Sequence, residues 1–152
     1  MHAGTLVSVD EQRKATIIVG VSGSPASAAA LRWAEDEAER RHGALKIVRS
    51  WQPQGHASYA RPVVQADSQA MQEQTRKELA DTVQAVLGSS SRHDTTSVVV
   101  EGRAERELVA ESAGADLLVL GSGSGLFIGP VVRTCLSHAH CPVVVVSPPD
   151  GA

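Results

Sequence analysis

An α/β domain built on a parallel sheet is the fold class this sequence predicts, and three observations predict it. Short runs rich in β-branched residues alternate with longer stretches of helical periodicity. The first such run, residues 16–22, is almost unbroken in apolar character, as a strand covered on both faces must be. Glycine and proline signals stand between successive elements.

Taken in order, strands are expected at 16–22, 45–51, 97–100, 116–120 and 142–147. Helices are expected from Pro25 to about His42 and over 67–87, 103–113 and 129–139. Ser24-Pro25 reads as an N-cap followed by proline at the first helical position. On that helix Leu31, Ala34 and Ala38 share one face, with Glu35, Glu39 and Arg40 elsewhere, and Gly43 reads as the stop. Met71, Leu79, Val83 and Val86 are the inward residues of the second helix, which Gly88 closes, and Gly114 ends the third. The loop over 52–65 is long for such a fold. Residues 1–14 read as a flexible polar lead-in, 15–149 as the domain and 150–152 as a tail.

A chain of 152 residues with 42% hydrophobic side chains suits one domain with an ordinary core. Its net charge of −3 and its interspersed charges offer no basic face for nucleic acid. No apolar run is long enough to span a membrane, and the N-terminus lacks the pattern of a secretory signal. Cys135 and Cys141, expected on a helix and at a strand opening, are poorly placed to staple the fold, so a reducing, cytoplasmic setting is the expectation.

The chemistry gathers at two strand ends, Ser22-Gly23-Ser24 and the glycine-serine loop at 121–129. Glycines allow a backbone to approach a ligand, and the helix that follows aims its first N–H groups and its dipole at the loop, which suits phosphate. Ser122 and Ser124 add hydroxyls. Sharper motifs fail. The dinucleotide fingerprint would need glycine where Leu126 stands, and neither a phosphate-binding G-x-x-x-x-G-K-[ST] nor a G-x-S-x-G elbow is present. Cys135, His138, His140 and Cys141 match no common zinc spacing, so no metal is expected. Trp33 and Trp51 read as packing residues, and His42, His56 and His93 lack clear partners. No general base or activated nucleophile assembles, which makes an enzyme the weakest reading.

The segments IIVGVSGSPASAAALRWA, VEGRAERELV through ADLLVLGSG, and the ending HAHCPVVVV together resemble the universal stress protein family. The resemblance covers nearly all of 15–148. It implies a Rossmann-like, adenine nucleotide alpha hydrolase-like three-layer sandwich with a five-stranded parallel sheet of order 3-2-1-4-5. That order would bring both strand ends to one crevice. The resemblance also implies a homodimer through the last strand, here Pro142, Val143, Val144, Val145 and Val146. An apolar edge strand needs such cover.

Many family members bind ATP through G-x2-G-x9-G-[ST] after the fourth strand, and this chain departs from that pattern. Gly121 aligns with the first glycine, Ser124 stands in place of the second, and Gly129 aligns with the third after four residues instead of nine. Pro130 replaces the final Ser or Thr. Ser22 stands where ATP-binding relatives usually carry Asp, and Ser50 takes the adenine-facing place on the second strand. Two readings follow. The preferred one is a non-enzymatic stress-response or interaction module with ATP binding weakened or lost, reading protein partners through its dimer surface. The alternative binds ATP, ADP, AMP or cyclic AMP, with Gly20, Ser22 and Ser50 beside the base. Gly121, Ser122, Ser124, Gly129 and the N–H of Val131 would then lie around the phosphates.

Overall fold

The computed structural model describes residues 13–53, 65–88, 94–123 and 128–149. Ser124, His56, His93, the tail at 150–152 and most of the expected lead-in lie outside them. The order of elements is β1 Thr16–Gly20, α1 Pro25–Arg40, β2 Ala44–Trp51, α2 Gln65–Leu87, β3 Thr95–Glu101, α3 Ala104–Ser112, β4 Leu117–Gly121, α4 Pro130–His138 and β5 Val143–Val146. The five strands form one parallel sheet of order β3-β2-β1-β4-β5. Each crossover passes through a helix, the connection that parallel neighbours require.

Alternation along the strands divides the core into two layers. Ile17 and Val19 of β1 turn toward α1 and α2, where they pack with Ala30, Leu31, Ala34, Ala38 and Leu79. Ile18 turns the other way and joins Leu108 of α3 and Val132 and Cys135 of α4. β1 and β4 are therefore apolar on both faces because each has a helical layer on either side. Full burial of each such Ile, Leu or Val is worth roughly 1.5–3 kcal/mol. Ala30, Ala34 and Ala38 of α1 are fully buried and bring that helix close to the sheet. Glu35, expected away from the face of Leu31, Ala34 and Ala38, is 5% exposed and belongs to the buried face.

Several boundaries move by one or two residues, each for a local reason. β1 ends at Gly20, short of Ser22, because the chain turns at Gly23 (φ 91°) to start α1. The stop of α1 is not Gly43. His42 takes the left-handed conformation (φ 53°), its N–H donates to the Glu39 carbonyl, and the Gly43 N–H donates to that of Ala38. This is the paired hydrogen-bond pattern of a left-handed helix cap. Gly43 is needed for space, since a Cβ there would lie 2.5 Å from the Ala15 carbonyl oxygen. Gly88 and Gly114, at φ 79° and 95°, do follow α2 and α3 as expected. β5 begins at Val143, so Pro142 lies outside the strand and its carbonyl accepts from Leu118 N–H.

The last residues of the lead-in are tied to the opening of the sheet. Arg13 and the Thr16 N–H both donate to Asp116, and Lys14 pairs with Asp94. The Arg13 guanidinium and then the Thr16 N–H hold the Asp116 carboxyl below its ordinary pKa. Among the described residues no helix is long and apolar enough to cross a membrane.

Candidate functional site

β1 and β4 are neighbours, but the chain leaves them toward opposite layers. β1 feeds α1, which packs on one face, and β4 feeds α4 on the other. A parallel sheet opens a crevice beyond its carboxyl edge at such a reversal. Here the crevice has a volume of about 240 Å³, a little under the roughly 300–1,000 Å³ of ordinary ligand pockets. Gly20, Ser22, Ser50, Gly121 and Val131, singled out in the sequence, all line it.

Two other residues singled out there do not. Ser122 is 7% exposed. Its N–H donates to the Val146 carbonyl and its hydroxyl to that of Gly123. It therefore extends the β4–β5 ladder and is not part of the crevice wall. Gly129 is the N-cap of α4 with extended backbone (φ −70°), so no left-handed turn demands glycine there.

The two strand ends are built differently. At α1 the Ser24 hydroxyl accepts from the Ser27 N–H at 3.1 Å, with Pro25 next in the first turn. The Ser22 hydroxyl donates to that of Ser24, and the Gly23 N–H donates to the Ser27 hydroxyl. This helix start meets its own needs. At α4 no side chain caps the first turn, and Pro130 has no N–H to offer. The donors left there are backbone N–H groups, with Val131 on the crevice wall.

Gly121 has a reason to be glycine that involves no ligand. A Cβ on it would lie 2.3 Å from the carbonyl oxygen of Ala26 in α1. β4 and α1 thus approach backbone to backbone, and only a residue without a side chain allows it. At Gly20 a Cβ would meet the Leu108 and Leu120 side chains at 3.0–3.1 Å, so this glycine leaves room at the crevice floor.

The sequence reading missed Arg49. It lines the crevice and is the one charged residue among its described walls. Its side chain is 21% exposed and reaches Glu78 of α2 at 3.3 Å. The available signal was a cation near the carboxyl end of an otherwise mostly apolar strand. Ser27 and Leu108 were likewise not assigned to this wall, which they also line. Cys135 lies in the core beside α3, and burial, with a smaller contribution from Glu105, pushes its thiol pKa up to about 11. A thiol held protonated in this way is a poor nucleophile.

The model of the universal stress protein family matches residues 15–147. The universal stress protein Rv2623 of Mycobacterium tuberculosis is 34% identical over 143 residues, covering 89% of this chain and 48% of its own length. The chain thus spans about half the length of the curated relatives it matches. Among solved structures, a universal stress protein in complex with cAMP is 25% identical, with a TM-score of 0.58 over 87% of this chain and 95% of its own. The Archaeoglobus fulgidus universal stress protein in complex with dAMP has a TM-score of 0.63 at 20% identity, over 87% and 97%. Sheet order, crevice and sequence match agree: this chain belongs to the universal stress protein family.

Proposed function

We propose that the protein is a non-enzymatic stress-response module in which ATP binding is weakened or lost. The observation that carries this reading is the start of α4, where Gly129 and Pro130 begin the helix with no side-chain cap. A triphosphate needs several convergent donors. Here the proline supplies neither hydroxyl nor N–H, and only four residues, 125–128, separate Ser124 from Gly129. Function then rests on surfaces. β5 is an edge of the sheet with Val145 36% exposed, and a second copy pairing along Val143 to Val146 would cover it.

Retention of a smaller adenine nucleotide is the second reading, and one observation favours it. The crevice is open, and its walls include Ser22, Ser50 and Val131. The cAMP and dAMP complexes of structural neighbours give the ligand size to try. Calorimetric titration with ATP, ADP, AMP and cyclic AMP separates the two. Absence of ATP heat at millimolar ligand is expected, and tight stoichiometric ATP binding would overturn the preferred reading. Sedimentation of wild-type protein beside Val145→Lys tests the dimer, which the lysine should disperse.

A further inference from the structure

We infer that Arg49 makes the β1–β2 end of the crevice a subsite for a phosphate monoester, opposite the end where α4 begins. The inference stands apart from the loss of ATP binding, because it concerns a different wall. The crevice's described walls contain one cation and no carboxylate. That cation is about four-fifths buried, since its side chain is 21% exposed. It lies against the β1–α1 turn, with Nη1 3.3 Å from where a side chain on Gly23 would begin.

A guanidinium carries five N–H donors, and a buried one requires acceptors. Among the described residues the hydrogen-bond partner of Arg49 is Glu78, by one 3.3 Å contact to a carboxylate that is 48% exposed. Such a contact is long for a charge-assisted bond, whose usual length is about 2.7–2.9 Å. The nearby hydroxyls of Ser22 and Ser24 are engaged with each other, so the cation and not the hydroxyls carries the preference. Ser50 and the apolar side chain of Leu108 also line the crevice. A small phosphate ester fits this arrangement, with its charge on Arg49 and its organic body in the crevice. A guanidinium fork is matched to two phosphate oxygens at once.

Free phosphate and a nucleoside monophosphate share this chemistry, and the test separates them. Wild-type protein, Arg49→Met and Glu78→Gln are titrated with inorganic phosphate, AMP and adenosine, following heat and the Arg49 Nε–H resonance. Arg49→Met is expected to weaken AMP by about 10- to 100-fold while leaving any adenosine binding unchanged. Glu78→Gln, which frees the guanidinium without touching the crevice wall, should tighten AMP. Arg49-dependent phosphate binding as tight as that of AMP would support the subsite and identify free phosphate as its ligand. Equal AMP affinity in wild type and a folded Arg49→Met would overturn the inference, as would failure of the wild type to bind either phosphate or AMP. Tight ATP binding would overturn the proposed loss of ATP and leave the Arg49 result to be judged separately.

Discussion

The turns that begin α1 and α4 face each other across one crevice, and both place proline in the first helical turn. The α1 turn is closed on itself through Ser22, Ser24 and Ser27, with a cation lying against it. The α4 turn has no side-chain cap and no cation in the crevice. Arg133 on that helix is exposed and reaches back to the Ile128 carbonyl at 3.4 Å. Backbone donors therefore stand at one end of the crevice and positive charge at the other. A crevice divided in this way is poorly suited to three consecutive phosphates and better suited to one.

The contrast can be broken most forcefully where the end of β4 meets the first turn of α1. Gly121→Ala drives a Cβ into the Ala26 carbonyl, and neither backbone can yield alone. A loss of about 1–3 kcal/mol is expected from the urea midpoint, the cost of overpacking a tight contact. An unchanged midpoint would show that the approach of β4 to α1 is loose. Ser24→Ala comes next, removing the hydroxyl that accepts from Ser27 N–H, with an expected cost of about 1 kcal/mol.

Restoring a hydroxyl and an N–H at α4 with Pro130→Ser should raise ATP affinity by no more than about 100-fold, about tenfold for each donor. A larger gain would mean that the proline alone, and not the short spacer, had cost the cradle its ligand. Giving α4 the cap that α1 has, by Gly129→Ser, should stabilise by only a few tenths of a kcal/mol, because glycine is already a fair N-cap. The smallest effect lies at the opposite end of the sheet. Asp116 titrates lower in the fold than its ordinary value, so its contribution is complete above about pH 4 and is lost as the pH falls through the folded pKa. Asp116→Asn should remove that part of the acid sensitivity, read as a flatter urea midpoint below pH 4, and leave both turns unaffected.

Much of this arrangement was legible in the residues. Short apolar runs alternating with helical stretches placed all five strands, and the Ser24-Pro25 signal gave the start of α1. The strand order came from the resemblance, because alternation alone does not say which strands are neighbours. Ser22 and Ser50 were placed at the crevice because strand ends converge once that order is known. Arg49 was not legible. Its side chain reaches the crevice past the glycine of a neighbouring turn, and no local periodicity records that path. Ser122 lies off the crevice wall for a related reason. A serine in a glycine-rich segment looks free for a ligand, but the β4–β5 ladder continues one residue past the strand and uses it. His42 was passed over because glycine is the commoner left-handed residue, and the glycine beside it was needed for a different clearance.

The contact between Gly121 and Ala26 bears on how function is read from motifs. The glycine that opens the family's nucleotide signature is held in this chain by the architecture itself. A protein of this shape can abandon its ligand and still be obliged to keep that letter. A signature that scores glycine at this place measures how closely a strand and a helix lie, and it would go on scoring after the last phosphate contact had gone.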